Sequence, residues 1–208
     1  MDIRRHTAAQ TGFTMIELLM TIAIAAIVAM LAIPSFQYVT NSNRVAAEVN
    51  GLLGDLQFAR AEAINTGKNV TVCLSAGGTT CDTTGNAWQT GWIVYSNPTG
   101  TGTNTTIPAA GSLLRVQSPF TGTDTFLASP AASAITYNRE GYAIVGANND
   151  GTLISLHTAS PSAAQLASWA RCLSVSVNGM TQTARYNQPL KGVAIVANGV
   201  VNTGVTCQ

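Results

Sequence analysis

The sequence predicts an α+β chain: a long amino-terminal helix, apolar enough at its start to cross a membrane, packed on an antiparallel β head of one or two sheets. Three observations carry that prediction. No charged residue occurs from Leu18 to Phe36. Beyond it Val45, Val49, Leu52, Leu53, Leu56, Ala59 and Ala63 recur at steps of three and four, with Arg44, Glu48, Asp55, Arg60 and Glu62 mostly on other faces. From Asn69 onward, short β-branched or alternating runs are separated by turn-rich clusters.

The first element begins in "TGFTMIELLMTIAIAAIVAMLAIPSFQ", Thr11 to Gln37. The nineteen uncharged residues from Leu18 to Phe36 would rise about 28 Å as a helix, enough for a bilayer core. Arg4, Arg5 and His6 precede the run and hold that end on the cytoplasmic side. A secretory signal is excluded by the length of the run, by Glu17 near its start and by the lack of a small-x-small cleavage site. A plain anchor fits the length but leaves Glu17 unexplained, because a lone carboxylate in the membrane costs roughly 2.5 to 3.5 kcal/mol on insertion scales. The charge needs a partner.

The amphipathic half follows. Arg44 and Glu48 are four apart on the helix, and such a surface pair is worth about 0.3 to 0.5 kcal/mol. Pro34 removes one helical hydrogen bond and is expected to kink the segment. "NTGKN" ends the helix at Gly67.

The head reads as strands in "NVTVCLSA", "GWIVYSN", "SLLRVQS", "SAITYN", "TLISLH", "RCLSVSVN" and "GVAIVANGVV". "NPTGTGTNTTIPAAG", Asn97 to Gly111, reads as an exposed loop. Trp92, in an alternating strand, is assigned to the core beside a tight turn at Gly91. Trp88 is assigned to a packed lid, with a contact residue as the alternative.

Composition bounds the class. A chain of 208 residues, 46% hydrophobic, can bury one core of ordinary size in addition to its membrane segment. Only 9% of residues are charged, against about 25% in average soluble chains, so the surface is polar but weakly charged. Removing Met1 to Gly12 takes away Arg4, Arg5 and Asp2, and leaves eight of the ten basic and eight of the nine acidic residues. No Asp or Glu follows Asp150, whereas Arg171, Arg185 and Lys191 do, which gives the last quarter a mild positive bias.

The four cysteines, in a chain with an export-like amino terminus, favour disulfides. Of the three connectivities the local one is preferred: Cys73 with Cys81 across "CLSAGGTTC", and Cys172 with Cys207 pinning the carboxyl terminus. Buried free thiols are the alternative. Neither pair has CxxC spacing and both histidines, His6 and His157, lie far from them, so no zinc site is expected. No catalytic constellation is present either: His157 is the one histidine after the leader, no GxSxG accompanies it, and "SAGGTT" lacks the GK[ST] end of a phosphate loop. The chain is expected to be no enzyme and to carry no cofactor.

A basic leader ending in Gly12, then Phe13, Thr14, Met15, Ile16, Glu17 and a long Leu/Ile/Ala helix containing Pro34, resembles the class III signal of type IV pilins and type II secretion pseudopilins. That resemblance implies a pilin-like fold and a leader, residues 1–12, cut by a prepilin peptidase between Gly12 and Phe13, with N-methylation of Phe13. It implies a helix over about 13–65, spanning the inner membrane at about 15–37 and amphipathic at about 38–65, which would be roughly 78 Å long at 1.5 Å per residue. The head, 66–208, would lie in the periplasm. Cleavage places a positive terminus four residues from Glu17. When the subunit leaves the lipid for a helical filament, Glu17 and the Phe13 amine of a neighbour offset each other's desolvation and set register. Phe13, Glu17 and Pro34 are thus the expected assembly residues.

"VTVCLSAGGTTC", "WQTGWIVYSN" and "ITYNREG" narrow the resemblance to the GspH/FimT group of minor pilins and pseudopilins. It implies a structural subunit that helps initiate or cap a type IV pilus or a type II secretion pseudopilus. The implied partners are other major and minor pilins or pseudopilins, the peptidase and inner-membrane lipid. Some FimT-type members take part in DNA uptake and carry Gly-Arg-x-Arg after the late strand; here the stretch is Gly179, Met180, Thr181, Gln182. Arg171, Arg185 and Lys191 are the remaining candidates for phosphate contact, a sparse footprint without aromatic interleaving.

Overall fold

A computed structural model of the chain describes residues 12–82, 84–97, 112–121, 124–129, 131–145, 152–158, 169–185, 188–189, 194–197, 200–203 and 207. Residues up to Thr11 of the expected leader, most of the expected Asn97–Gly111 loop, and Lys191 lie outside these. The chain divides into two compact units, Met1–Thr40 and Asn41–Gln208. One helix, α1 (Met15–Thr66), runs without interruption through Pro34 and contributes to both.

In the first unit α1 begins at a side-chain cap. The Thr14 hydroxyl accepts the Glu17 N–H at 3.3 Å, and its carbonyl accepts the Leu18 N–H at 3.1 Å. A capping hydroxyl satisfies one of the donors that every helix start leaves without an intrahelical partner. Thr21 and Thr40 turn their hydroxyls back onto the carbonyls of Leu18 and Phe36, at 2.8 and 2.9 Å. These two hydroxyls are thereby satisfied within their own helix, as a lipid environment requires.

In the second unit the remainder of α1 presents one stripe to the head. Val45, Val49, Leu52, Leu56, Ala59 and Ala63 are all buried, at alternating steps of four and three that keep them on one face. Thr66 closes the helix through a hydroxyl bond to the Glu62 carbonyl at 2.7 Å, and Gly67 follows.

The head strands are β1 (Val70–Leu74), β2 (Trp92–Ser96), β3 (Leu113–Gln117), β4 (Asp124–Ser129), β5 (Ala134–Tyr137), β6 (Ala143–Val145), β7 (Thr152–Thr158), β8 (Arg171–Val175), β9 (Thr181–Arg185), β10 (Ala194–Ala197) and β11 (Val200–Thr203). They form a five-stranded sheet ordered β3-β2-β1-β5-β6, a four-stranded sheet ordered β4-β7-β8-β9 and a two-stranded ribbon β10-β11, with every pairing antiparallel. The expected antiparallel head therefore takes its two-sheet form, with a ribbon added.

Strand β1 is buried on both faces. Val70, Val72 and Leu74 join the helix stripe and residues of both larger sheets in the main core. On the opposite face Cys73 packs with Cys81, Ile93, Tyr95 and Ala134. Beside them the Thr71 and Thr136 hydroxyls meet at 2.7 Å, and Asn97 Nδ2 donates to Thr71 at 3.3 Å. A buried hydroxyl without such a partner would cost about 1 to 3 kcal/mol, so this threonine pair makes a central, two-sided strand affordable for a polar sequence.

Trp92 is buried at the centre of an aromatic cluster, 5.7 Å from the Phe120 ring, 6.4 Å from Phe126 and 6.4 Å from Trp88, mostly in tilted or edge-on geometry. Its indole N–H donates to Asp55 Oδ2 of α1 at 2.9 Å. Trp88, in a 3-10 turn (Trp88–Thr90), is completely buried and donates to the Ala132 carbonyl at 3.0 Å. Between them Gly91 has φ +97, and a Cβ there would stand 2.6 Å from the Gln117 carbonyl oxygen. Glycine is what allows β2 and β3 to close over the cluster at this point.

Arg44 departs from the sequence expectation. Its partner is not Glu48 but Asp124 at the start of β4: Nε reaches Oδ2 at 2.7 Å and Nη2 reaches Oδ1 at 2.9 Å. A bidentate fork on a buried carboxylate is stronger than a solvated helix pair, so the tertiary partner wins.

Candidate functional site

Gly12 and Phe13 precede Thr14, the residue before α1, and Phe13 is 80% exposed. Glu17 lies in the first turn, where a carboxylate also favours the positive end of the helix. All described large apolar side chains between Phe13 and Val39 are exposed. The helix is long and apolar enough to cross a membrane. This stretch therefore holds a continuous apolar surface whose one carboxylate sits at its very start.

The cap was legible but unread: Thr14-Met15-Ile16-Glu17 has the spacing of a capping box, in which a threonine hydroxyl takes the backbone N–H three residues on. Thr14 thereby fixes the turn that carries Glu17.

In the head, Cys73 is joined to Cys81 and Cys172 to Cys207, each with Cα atoms 5.6 Å apart. The first closes the loop that follows β1; the second ties the end of the chain to β8. Arg171 opens β8 and Arg185 closes β9, and the two stand directly opposite each other in register. Arg171 also donates to the Ala170 carbonyl at 3.3 Å. Both lie at the far end of the β8–β9 hairpin from its turn, where Val175 faces Thr181. The turn holds Asn178, Gly179 and Met180, and the cation near it comes from α1: Arg60 Nε donates to the Gly141 carbonyl at 3.1 Å and Nη2 to the Asn178 carbonyl at 3.4 Å.

One electrostatic cluster was not foreseen. Glu48 is half-buried beside the Arg44–Asp124 fork, and one of its carboxyl oxygens is buried without a hydrogen-bond partner. Burial, reinforced by the Asp124 charge, pushes its carboxyl up to about 7, against the pull of Arg44. Glu48 thus lies in the field of the fork without a bond to its guanidinium, where α1 meets β4.

Two family models match the chain. One is the prokaryotic N-terminal methylation motif, over residues 7–33, which takes in Gly12, Phe13, Glu17 and the start of the apolar run. The other is the type II transport protein GspH, over residues 48–179, more than half of the chain. The chain belongs to the GspH family.

As a GspH-family chain it is a minor pilin or pseudopilin, a structural subunit that assembles with other pilins. Two crystal structures of the type IV minor pilin FimU of Pseudomonas aeruginosa are similar to it. One is 18% identical, covers 68% of this chain and 91% of FimU, and has a TM-score of 0.46. The other is 17% identical, covers 72% and 92%, and has a TM-score of 0.49. No curated protein matches the chain in sequence. Within this GspH-family chain the DNA-uptake reading gains no support, since the hairpin turn is uncharged and Arg171 and Arg185 sit away from it.

Proposed function

We propose that the chain is made as a single-pass inner-membrane precursor, residues 1–12 being its leader, and that a prepilin peptidase cuts between Gly12 and Phe13 and methylates the new Phe13 amine. Residues of about 15–37 hold the subunit in lipid until assembly, with the head, about 66–208, in the periplasm. In the filament the apolar half of the helix, including Pro34, packs among the helices of other subunits. There Glu17 pairs with a neighbour's Phe13 amine. The subunit acts with other minor subunits to initiate or cap a type IV pilus or a type II secretion pseudopilus. It does so as a structural part and not as a catalyst.

The observation that carries this reading is the uncovered apolar surface from Phe13 to Val39 with its single acid at the capped start. An exposed apolar stripe of this length needs either lipid or other helices, and a buried carboxylate needs a positive partner. Glu17→Ala is expected to leave the chain in the membrane and to cut its incorporation into filaments sheared from cells. Undiminished incorporation would remove the charge-pair role. Blocking cleavage by substitution of Gly12 is expected to leave the longer precursor in the membrane fraction, visible as a mass difference.

A further inference from the structure

Within the second unit three ionisable side chains meet where α1 faces the start of β4, and one of their atoms is left unaccounted for. Arg44 holds the Asp124 carboxylate by two bonds, so that pair is electrically neutral. Asp124 has 1% of its side chain exposed. Glu48 follows Arg44 by one turn of α1, and one of its carboxyl oxygens is buried with no hydrogen-bond partner. Glu48 and Asp124 nevertheless approach closely enough for a side-chain hydrogen bond. Two carboxylate ions cannot form one, because neither has a hydrogen to give.

A proton on Glu48 resolves both facts. The protonated carboxyl becomes a donor to Asp124, and the buried oxygen no longer belongs to an ion. Asp124 is the partner that stays ionised, since the guanidinium fork favours its charge. Removing the proton would set a second negative charge beside a cation already engaged, and a buried charge without a counter-ion is strongly unfavourable. The charges that act on Glu48 are those of Asp124 and Arg44. The next acid along α1, Asp55, is engaged by Trp92 and Arg115. On β7, His157 is opposite Thr125 in register and so belongs to the other face of the sheet from Asp124. Arg171 of β8 shares the face of Asp124, but two strands away, beyond β7.

We propose that Arg44, Asp124 and a protonated Glu48 form a proton-operated clasp between α1 and β4: the Glu48 hydroxyl donates to the carboxylate that Arg44 grips, and loss of that proton loosens residues 41–49 from the start of β4. The clasp is firm in acidic surroundings and slack in alkaline ones. Its opening is local, and the core around β1 stays closed. It is independent of the filament reading, since it joins the head to its own helix.

The test uses the full-length chain in detergent micelles. With glutamate labelled by carbon-13 at its side-chain carboxyl, nuclear magnetic resonance sees four groups, Glu17, Glu48, Glu62 and Glu140, and Glu48→Gln identifies the one at the clasp. The Glu48 signal is expected to be that of a neutral carboxyl at pH 5 and to titrate near 7. Titration near the ordinary value of about 4.3 would overturn the proposal. Amide hydrogen exchange, corrected for its intrinsic pH dependence, is expected to show the protection of residues 44–49 and 124–126 falling about tenfold between pH 6 and pH 8, the ratio that follows for a group titrating near 7. Glu48→Gln, whose amide donates to Asp124 at every pH, is expected to abolish that fall. A fall that persists in Glu48→Gln, no fall in the parent chain, or exchange at the junction no faster than in β1 would each overturn the clasp.

Discussion

Arg44 of α1 grips Asp124 of β4 through two parallel hydrogen bonds, of 2.7 and 2.9 Å, across eighty residues of sequence. Asp124 has 1% of its side chain exposed and Arg44 39%. The acid therefore depends on the arginine, while the arginine retains access to water. Asp124→Ala is expected to destabilise the head by about 2 kcal/mol, less than a fully buried pair would lose because Arg44 is rehydrated. Urea unfolding followed by tryptophan fluorescence measures it, since Trp88 and Trp92 are both in the core.

Glu48 gives the same junction a pH dependence. Its carboxyl titrates near 7 in the fold and near 4.3 in an unfolded chain, so the folded state binds the proton more tightly. Stability that is fully present below the unfolded value is lost as pH rises toward 7, and levels off above it. Glu48→Gln is expected to flatten this slope and to raise stability at pH 8 by about 1 kcal/mol, a figure reduced by the water that reaches the side chain. Thermal unfolding at pH 5, 6, 7 and 8 decides; an unchanged slope in the variant would assign it to another group.

Gly179 closes the β8–β9 turn with φ +76, and a Cβ there would lie 2.0 Å from the Gly141 carbonyl oxygen. Gly179→Ala is expected to cost roughly 3 kcal/mol, because a strained backbone and a backbone collision add. The damage should be local. Amide hydrogen exchange should rise first in residues 138–145 and 176–182, which this contact and Arg60 hold together.

The two disulfides differ in reach, with separations of 8 and 35 residues. If loop closure dominates, removing Cys172–Cys207 should cost about 4 kcal/mol and removing Cys73–Cys81 about 2.5 kcal/mol. Paired Cys→Ser variants compared by denaturant midpoint check the order. The reverse order would show that the buried packing of Cys73 and Cys81 against Ile93 and Tyr95 outweighs loop length.

Strand recognition followed side-chain chemistry. β1, β2 and β5 are rich in β-branched or aromatic residues and were readable as strands. β9, "TQTAR", has one buried residue, Ala184, and β6 has three residues in all, so neither carries a period that a sequence can display. β4 was obscured by Asp124: a strand that begins with an acid reads as loop until its arginine is found on a helix eighty positions earlier. The same limit explains Arg44. From sequence the nearest opposite charge is Glu48, and only the fold brings a better one.

What the sequence by itself determined is whatever depends on neighbours along the chain: the apolar helix, the acid one turn inside it, the stripe from Val45 to Ala63 and the group of relatives those residues resemble. Periodicity and local spacing suffice for these because a helix relates residues three and four apart. What only the tertiary structure decided is whatever depends on residues distant in sequence: the Arg44–Asp124 fork, the acidity of Glu48 and the joining of two turns by Arg60. Charge energies depend on separation in space and on exclusion of water, and chain closure sets both.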